Sequence, residues 1–296
     1  MSRLVIFRSL LIALALALTG CGNHGGLTHD PDATGPLVST VPGALPKPDH
    51  VVVVVFENKD EAQVVGASSA PYLTSLAKTG AALDNAHGIA HPSQPNYVAL
   101  LSGSPYTVTD DSCPQRLGPK PNLARQLLNA GYTFAGYSES MPAQGFTGCS
   151  GSGGDYARKH NPWSDFSNIP KSDNRTYGAF PDDLSKLPTV AFVVPNMCHD
   201  MHDCSVRTGD AWARAHLARY LTWAKTHRSL LIVTFDEDSG SSANHIPTIL
   251  VGPMVRKGQV HQWINHYTLL RTLEDMYGLP ALSHAARAHP ITAWQK

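Results

Sequence analysis

No net charge remains once the 23 Lys and Arg are set against the 23 Asp and Glu, and no run of basic residues follows the first twenty positions. That balance excludes nucleic acid, or any anionic surface read mainly through charge, as the principal partner. No Cys-Xaa-Xaa-Cys spacing occurs, which argues against a thiolate zinc site. No internal repeat is present, and the apolar run Leu10–Leu18 is short for a membrane-spanning helix. The chain of 296 residues therefore reads as one large α/β domain behind a leader, long enough to bury a substantial core.

Arg3, Arg8 and the apolar run that follows read as an export signal over residues 1–20. It ends in Leu18-Thr19-Gly20-Cys21, which resembles the lipobox of bacterial lipoproteins, so Cys21 is expected to carry a lipid. Residues 21–48, rich in Gly, Pro, Thr and Asp, read as a flexible tether, and 49–296 as a single catalytic domain. The expected location is the bacterial cell envelope, outside the cytoplasm and anchored to the membrane. Four cysteines remain, an even number in an oxidising compartment: Cys113, Cys149, Cys198 and Cys204. Three pairings are possible. We favour Cys113 with Cys149 and Cys198 with Cys204, because the second closes a short loop and the first ties a long Gly/Ser-rich insertion.

Val51–Phe56 is a β-branched run without alternation, as expected of a strand buried on both faces of a parallel sheet. Strands are also expected over Tyr132–Tyr137, Thr189–Val194, Leu230–Phe235 and Ile246–Val251. Helices are expected over Pro71–Thr79, Asn122–Ala130 and Asn265–Tyr277, and after a cap at Thr208 or Asp210. Between Ser138 and Leu187 the pattern weakens into what reads as a functional insertion.

Ser93 lies between Pro92 and Pro95, which restrict its backbone and present it rigidly. It can be a nucleophile, or a turn serine that caps the following apolar segment. Three apolar strands end in acidic or metal-capable residues: Glu57-Asn58, His199-Asp200 with His202-Asp203, and Asp236-Glu237. In open α/β sheets ligands bind at the carboxyl ends of strands. Carboxylates converging there repel one another unless a cation is present, and a divalent cation is what a serine hydroxyl needs to become a useful nucleophile at phosphorus. A Ser-His-Asp acyl hydrolase would instead place Ser93 in a Gly-Xaa-Ser-Xaa-Gly elbow, which is missing.

The ordered set Val-Phe-Glu57-Asn58-Lys59, His91-Pro-Ser93-Gln-Pro-Asn96-Tyr, Lys-His160-Asn-Pro, Pro-Asn196-Met-Cys-His-Asp200-Met-His202-Asp203, Phe-Asp236-Glu237-Asp and Asn-His245-Ile-Pro-Thr resembles the bacterial phosphoesterase family of acid phosphatases and phospholipases C, within the alkaline phosphatase superfamily. The resemblance runs from about Val51 to Leu279. It implies a three-layer α/β/α sandwich with a mostly parallel central sheet and a metal-dependent phosphoesterase. Glu57, Asn58, Asp236 and Glu237 would hold a divalent metal together with the Ser93 oxygen, and Ser93 would pass through a phosphoserine. His160 and His245 would assist catalysis, while Asn96, Asp200 and His202 would bind phosphate or a second metal. Where the family continues its first motif with a small hydroxyl residue and an aromatic, this chain has Asp60-Glu61-Ala62. The expected substrate is a phosphate monoester. Phospholipase C or another phosphodiesterase is the alternative, and a non-catalytic surface-binding lipoprotein the alternative of another class. A sulfatase is disfavoured because Ser93-Gln-Pro-Asn96 lacks that signature's arginine.

Overall fold

The computed structural model describes residues 45–295. The expected signal, Cys21 and nearly all of the tether lie outside the described residues. The elements in chain order are β1 (His50–Phe56), α1 (Glu61–Val64), α2 (Pro71–Thr79), β2 (Ala81–Leu83), β3 (Ala86–His87), α3 (Ser93–Ser102), α4 (Leu123–Asn129), β4 (Phe134–Ser138), β5 (Asn174–Thr176), β6 (Val190–Val194), α5 (Val206–Ala224), β7 (Ser229–Phe235), β8 (Thr248–Val251), β9 (Gly258–Val260), β10 (Ile264–Asn265) and α6 (His266–Tyr277). Short 3₁₀ turns fill much of the rest.

Eight strands form one sheet in the order β5-β4-β6-β1-β7-β8-β2-β9. All pairs are parallel except the two made by β8, which runs against β7 and β2. β1 is central because its Val51–Phe56 run has no polar face to offer water, and all six side chains are buried. Helices flank the sheet, α2 packing on α5 and α3 on α4 and α6, so the architecture is the expected α/β sandwich.

Four local readings change. Ser93 does not precede its helix but opens it, as the first residue of α3 after Pro92. α5 is capped neither by Thr208 nor by Asp210 but by Ser205, whose side chain accepts from Thr208 N at 3.2 Å. Asp210, inside that helix, instead accepts from Tyr72 N and Leu73 N at 3.1 and 2.8 Å. It thereby caps the neighbouring helix α2 across the interface, a long-range contact that local pattern cannot reveal. β8 starts at Thr248 rather than Ile246, since Pro247 cannot donate to a ladder. The insertion contributes an edge strand, β5, to the sheet. Its anchor is the Cys113–Cys149 bond, and Cys198 is bonded to Cys204.

α3 is buried along its whole length, polar residues included. It stops at Gly103, which has a left-handed backbone at φ 71° and sits so close to the Leu282 carbonyl that no Cβ would fit. Leu282 N in turn donates to Glu274 Oε1 at 2.8 Å. Burial pushes the Glu274 carboxyl up to about 8. A group whose pKa is higher in the folded chain than its ordinary 4.5 stabilises fully below pH 4.5, and that contribution disappears as pH rises through about 8. We expect the unfolding free energy from denaturant titrations to fall over that window by up to about 5 kcal/mol, and Glu274→Gln to flatten the slope. An unchanged slope in the variant would refute the assignment.

Candidate active site

Because β1 lies between β6 and β7, the loops leaving their carboxyl ends are neighbours, and the three acidic clusters meet above the middle of the sheet. The register sets Phe56 beside Phe235, so Glu57 and Asp236 emerge together. Ser93 reaches this point from α3. Its Oγ donates to Glu57 Oε2 at 2.9 Å and lies 3.1 Å from Glu237 Oε1. Neither contact is a helix cap, so the hydroxyl is directed entirely at the carboxylates.

Glu57 is the hub. Tyr97 OH donates to its Oε1 at 2.6 Å, Asn58 Nδ2 donates to Oε2 at 3.1 Å, and His160 Nε2 lies 3.0 Å from Oε1. Asn58 sits in the left-handed region at φ 54°, which aims its backbone N–H at Asp236 Oδ1, 3.2 Å away. His160 lies between Glu57 and Asp200, with Nδ1 3.2 Å from Asp200 Oδ2, and its ring stacks on Tyr97. Asp200 Oδ1 accepts from His202 N at 2.8 Å. Glu57, His160 and His202 offer ligand atoms within 4.8 Å of one another.

Burial alone would raise Glu57, but the charge of His160 and hydrogen bonds from His160 and Tyr97 hold it at about 2. Burial would likewise lower His160, yet Glu57 and Asp200 push it up to about 10. At Asp236 the charge of His160 and the Ser93 hydroxyl are outweighed. Burial, then Glu57 and Glu237, drive its carboxyl well above the usual range, and its Oδ2 is buried without any hydrogen-bond partner. Burial also raises Glu237, opposed by His91.

Of the residues named from sequence, Glu57, Asn58, Ser93, Asp236, Glu237, His160, Asp200 and His202 converge. Two do not join them. Asn96 is fully buried: its Oδ1 accepts from Ile89 N and Ala90 N and its Nδ2 donates to Ala90 O and Pro92 O, which folds the loop leading to Ser93. His245 turns its ring to the Asp84 carbonyl, 3.0 Å from Nε2, and packs on His87. Both side-chain polar atoms of Asn96 are spent on loop backbone, and so is Nε2 of His245. Conversely, His91, set aside on sequence, places Nδ1 2.5 Å from Glu237 Oε2. Tyr97, fourth after Ser93, and Lys159, beside His160, also face the cluster, and adjacency to a motif residue was their only sequence signal. Asp60 of the departing first motif accepts from Ser239 N and Oγ at 3.2 and 2.9 Å, so it fastens the loop after Glu237.

The cluster can do three things chemically. It directs a serine hydroxyl between two carboxylates, of which Glu237 can take its proton, it holds a buried histidine ready as a fixed charge, and it gathers more negative charge than it neutralises.

The profile of the phosphoesterase family matches residues 67–280. Glu57 and Asn58 precede that match, but longer alignments extend beyond it. The chain is 49% identical over 259 residues to a phosphatidylinositol-3-phosphatase of Mycobacterium tuberculosis, covering 87% of this chain and 86% of that one. It is 33% identical to an acid phosphatase of Aspergillus fumigatus, over 70% of this chain and 50% of the relative, and 32% identical to a probable acid phosphatase of Kluyveromyces lactis, over 83% and 62%. The chain thus spans less than two thirds of either fungal relative. Among solved structures, a protein of the alkaline phosphatase superfamily from Vibrio parahaemolyticus superposes with a TM-score of 0.60 at 13% identity, over 84% of this chain and 71% of that one. The lipoteichoic acid synthase LtaP of Listeria monocytogenes gives 0.57 at 10% identity, over 81% and 74%. Matched by the family profile over most of its length and nearly half identical to a named phosphatase, this chain belongs to the phosphoesterase family, as a phosphoric ester hydrolase with an α/β fold like that of the solved alkaline phosphatase superfamily protein.

Proposed function

We propose that the protein is an exported, metal-dependent phosphatase that hydrolyses phosphate monoesters through a phosphoserine on Ser93. The observation that carries the reading is the Ser93 hydroxyl set between Glu57 and Glu237, 2.9 and 3.1 Å away. The names of the relatives, a phosphatidylinositol-3-phosphatase and acid phosphatases, are those of monoester hydrolases and support that choice over a diesterase.

The residues fit a divalent cation. Glu57, Asp236 and Glu237 place three carboxylates around one hydroxyl, and the buried Asp236 Oδ2 has no hydrogen-bond partner. Glu57, Asn58, Asp236, Glu237 and Ser93 Oγ would hold it, a set of oxygen donors suited to a hard ion. When bound, the cation offsets the carboxylates' repulsion, acidifies the hydroxyl and neutralises charge on phosphoryl oxygens.

The chain's own part follows from the contacts. Glu57 and Glu237 orient Ser93, and Glu237, which burial makes the more basic of the two, takes its proton as Oγ bonds to phosphorus; the bond to the leaving group breaks and the departing alkoxide takes a proton from water. Water then cleaves the serine ester and releases phosphate. His160, buried between Glu57 and Asp200, balances their charge.

The test is hydrolysis by the purified protein of a phosphomonoester, phosphatidylinositol 3-phosphate, bis(p-nitrophenyl) phosphate and phosphatidylcholine, with EDTA and with a series of divalent metals. Monoesters should turn over at least about a hundredfold faster than diesters, and only with metal. Equal rates on diesters, or full activity in EDTA, would overturn the reading. Export and lipidation at Cys21 belong to the same proposal. They fail if envelope-extracted protein shows an unmodified Cys21 by mass spectrometry.

A further inference from the structure

We infer that Lys159 is the phosphate-binding cation of this site, a fixed ammonium standing where a second metal ion would otherwise go. The inference rests on the monoester reading above and deepens it. Three contacts place the ammonium. Its Nζ donates to Asp111 Oδ2 at 2.8 Å. The other oxygen of Asp111 accepts from Gln94 N at 2.9 Å, the residue next to Ser93 in the first turn of α3. On its other side Nζ lies 3.3 Å from His202 Nε2, the nitrogen of a residue whose ligand atom falls within 4.8 Å of those of Glu57 and His160. Lys159 is thus held, half-buried, between Asp111 and His202.

The protonation pattern is consistent. His202 Nδ1 lies 2.7 Å from Asp203 Oδ1, so that nitrogen carries the ring proton and Nε2 is left to accept from the lysine. A lone pair engaged by an ammonium 3.3 Å away is not offered to a cation, and a metal there would face the lysine's own charge. The donor group of Glu57, His160 and His202 is therefore closed to a second metal by Lys159, and the positive charge that such an ion would bring is supplied by the side chain itself. Asp111 is the only carboxylate in hydrogen-bonding contact with that ammonium among the described residues. One further hydrogen of the ammonium remains for substrate.

The consequence is specificity. A monoester dianion carries one more negative charge than a diester at neutral pH, and a second fixed cation rewards that charge beyond what one metal does. Lys159 should therefore touch a non-bridging oxygen of the phosphoryl group and favour monoesters and free phosphate.

Inorganic phosphate is the direct probe, as a competitive inhibitor and in calorimetric titration of the metal-loaded protein. Lys159→Met should weaken phosphate by roughly 10- to 100-fold, the size of one charge-assisted hydrogen bond, and raise monoester KM by a similar factor. The monoester-to-diester ratio of kcat/KM should fall with it. Lys159→Arg should keep phosphate affinity within a few fold. Asp111→Asn keeps the Oδ1 contact to Gln94 N but releases the lysine, and should bind phosphate at least as tightly as the parent. If Asp111→Asn loses phosphate as fully as Lys159→Met, the ion pair is structural and the inference is wrong. Unchanged phosphate affinity in Lys159→Met overturns it too. Should the parent prefer diesters, the monoester reading fails by itself, and the phosphate titration still decides the lysine.

Discussion

Ser93→Ala is expected to lose at least about ten-thousandfold in kcat while its melting temperature stays within a few degrees of the parent. Both halves follow from where the hydroxyl points. Ser93 opens α3, but the helix takes no cap from it, because the residue before it is Pro92 and the Oγ contacts are Glu57 and Glu237. Losing Oγ therefore removes no helix hydrogen bond, whereas hydrolysis loses its attacking atom. Brief exposure to a ³²P-labelled monoester followed by acid quench should leave label on Ser93 in the parent and none in the variant. Residual turnover within tenfold of the parent, or label on another residue, would eliminate Ser93 as nucleophile.

Asp236→Asn should act in opposite directions on activity and on metal-free stability. Asp236 Oδ1 accepts from Asn58 N, a bond an asparagine oxygen keeps, while Oδ2 is buried, unpartnered and pressed by Glu57 and Glu237. Burial and these two carboxylates raise its pKa, so ionising it costs the metal-free fold increasingly as pH rises. An amide removes that cost and can donate to a neighbouring carboxylate. In EDTA at neutral pH the variant should be about 1–2 kcal/mol more stable. With metal it should bind the ion at least about a hundredfold more weakly and turn over correspondingly less. Elemental analysis and thermal melts with and without EDTA check this together. Equal metal content would remove Asp236 from the ligand set, and a loss of metal-free stability would mean the carboxylates are not in conflict.

Much of this was legible in the residues themselves. The Val51–Phe56 run has no polar face, so a strand buried on both sides was forced, and acids directly after such strands had to lie at one edge of a parallel sheet. That reasoning already gathers Glu57, Asp200 and Asp236 and gives Ser93 a cation to work with. Helix bounds at Pro71–Thr79 and Asn265–Tyr277 followed from local caps and breakers, which are short-range effects.

What the sequence alone could not decide is where a polar side chain spends its hydrogen bonds, because that depends on atoms far along the chain. Asn96 carries the right chemistry, yet loop carbonyls and amides consume both its polar atoms, and a loop carbonyl takes Nε2 of His245. Asp210 caps a helix 137 residues away. Tyr97, His91 and Lys159 acquire roles only because α3, the loop after β7 and the insertion fold over one point. Residue type and spacing determined that a carboxylate-rich phosphoester site would form at the strand ends. Tertiary structure decided which polar groups remain free to use it, since each buried side chain has only a few donor and acceptor sites to give.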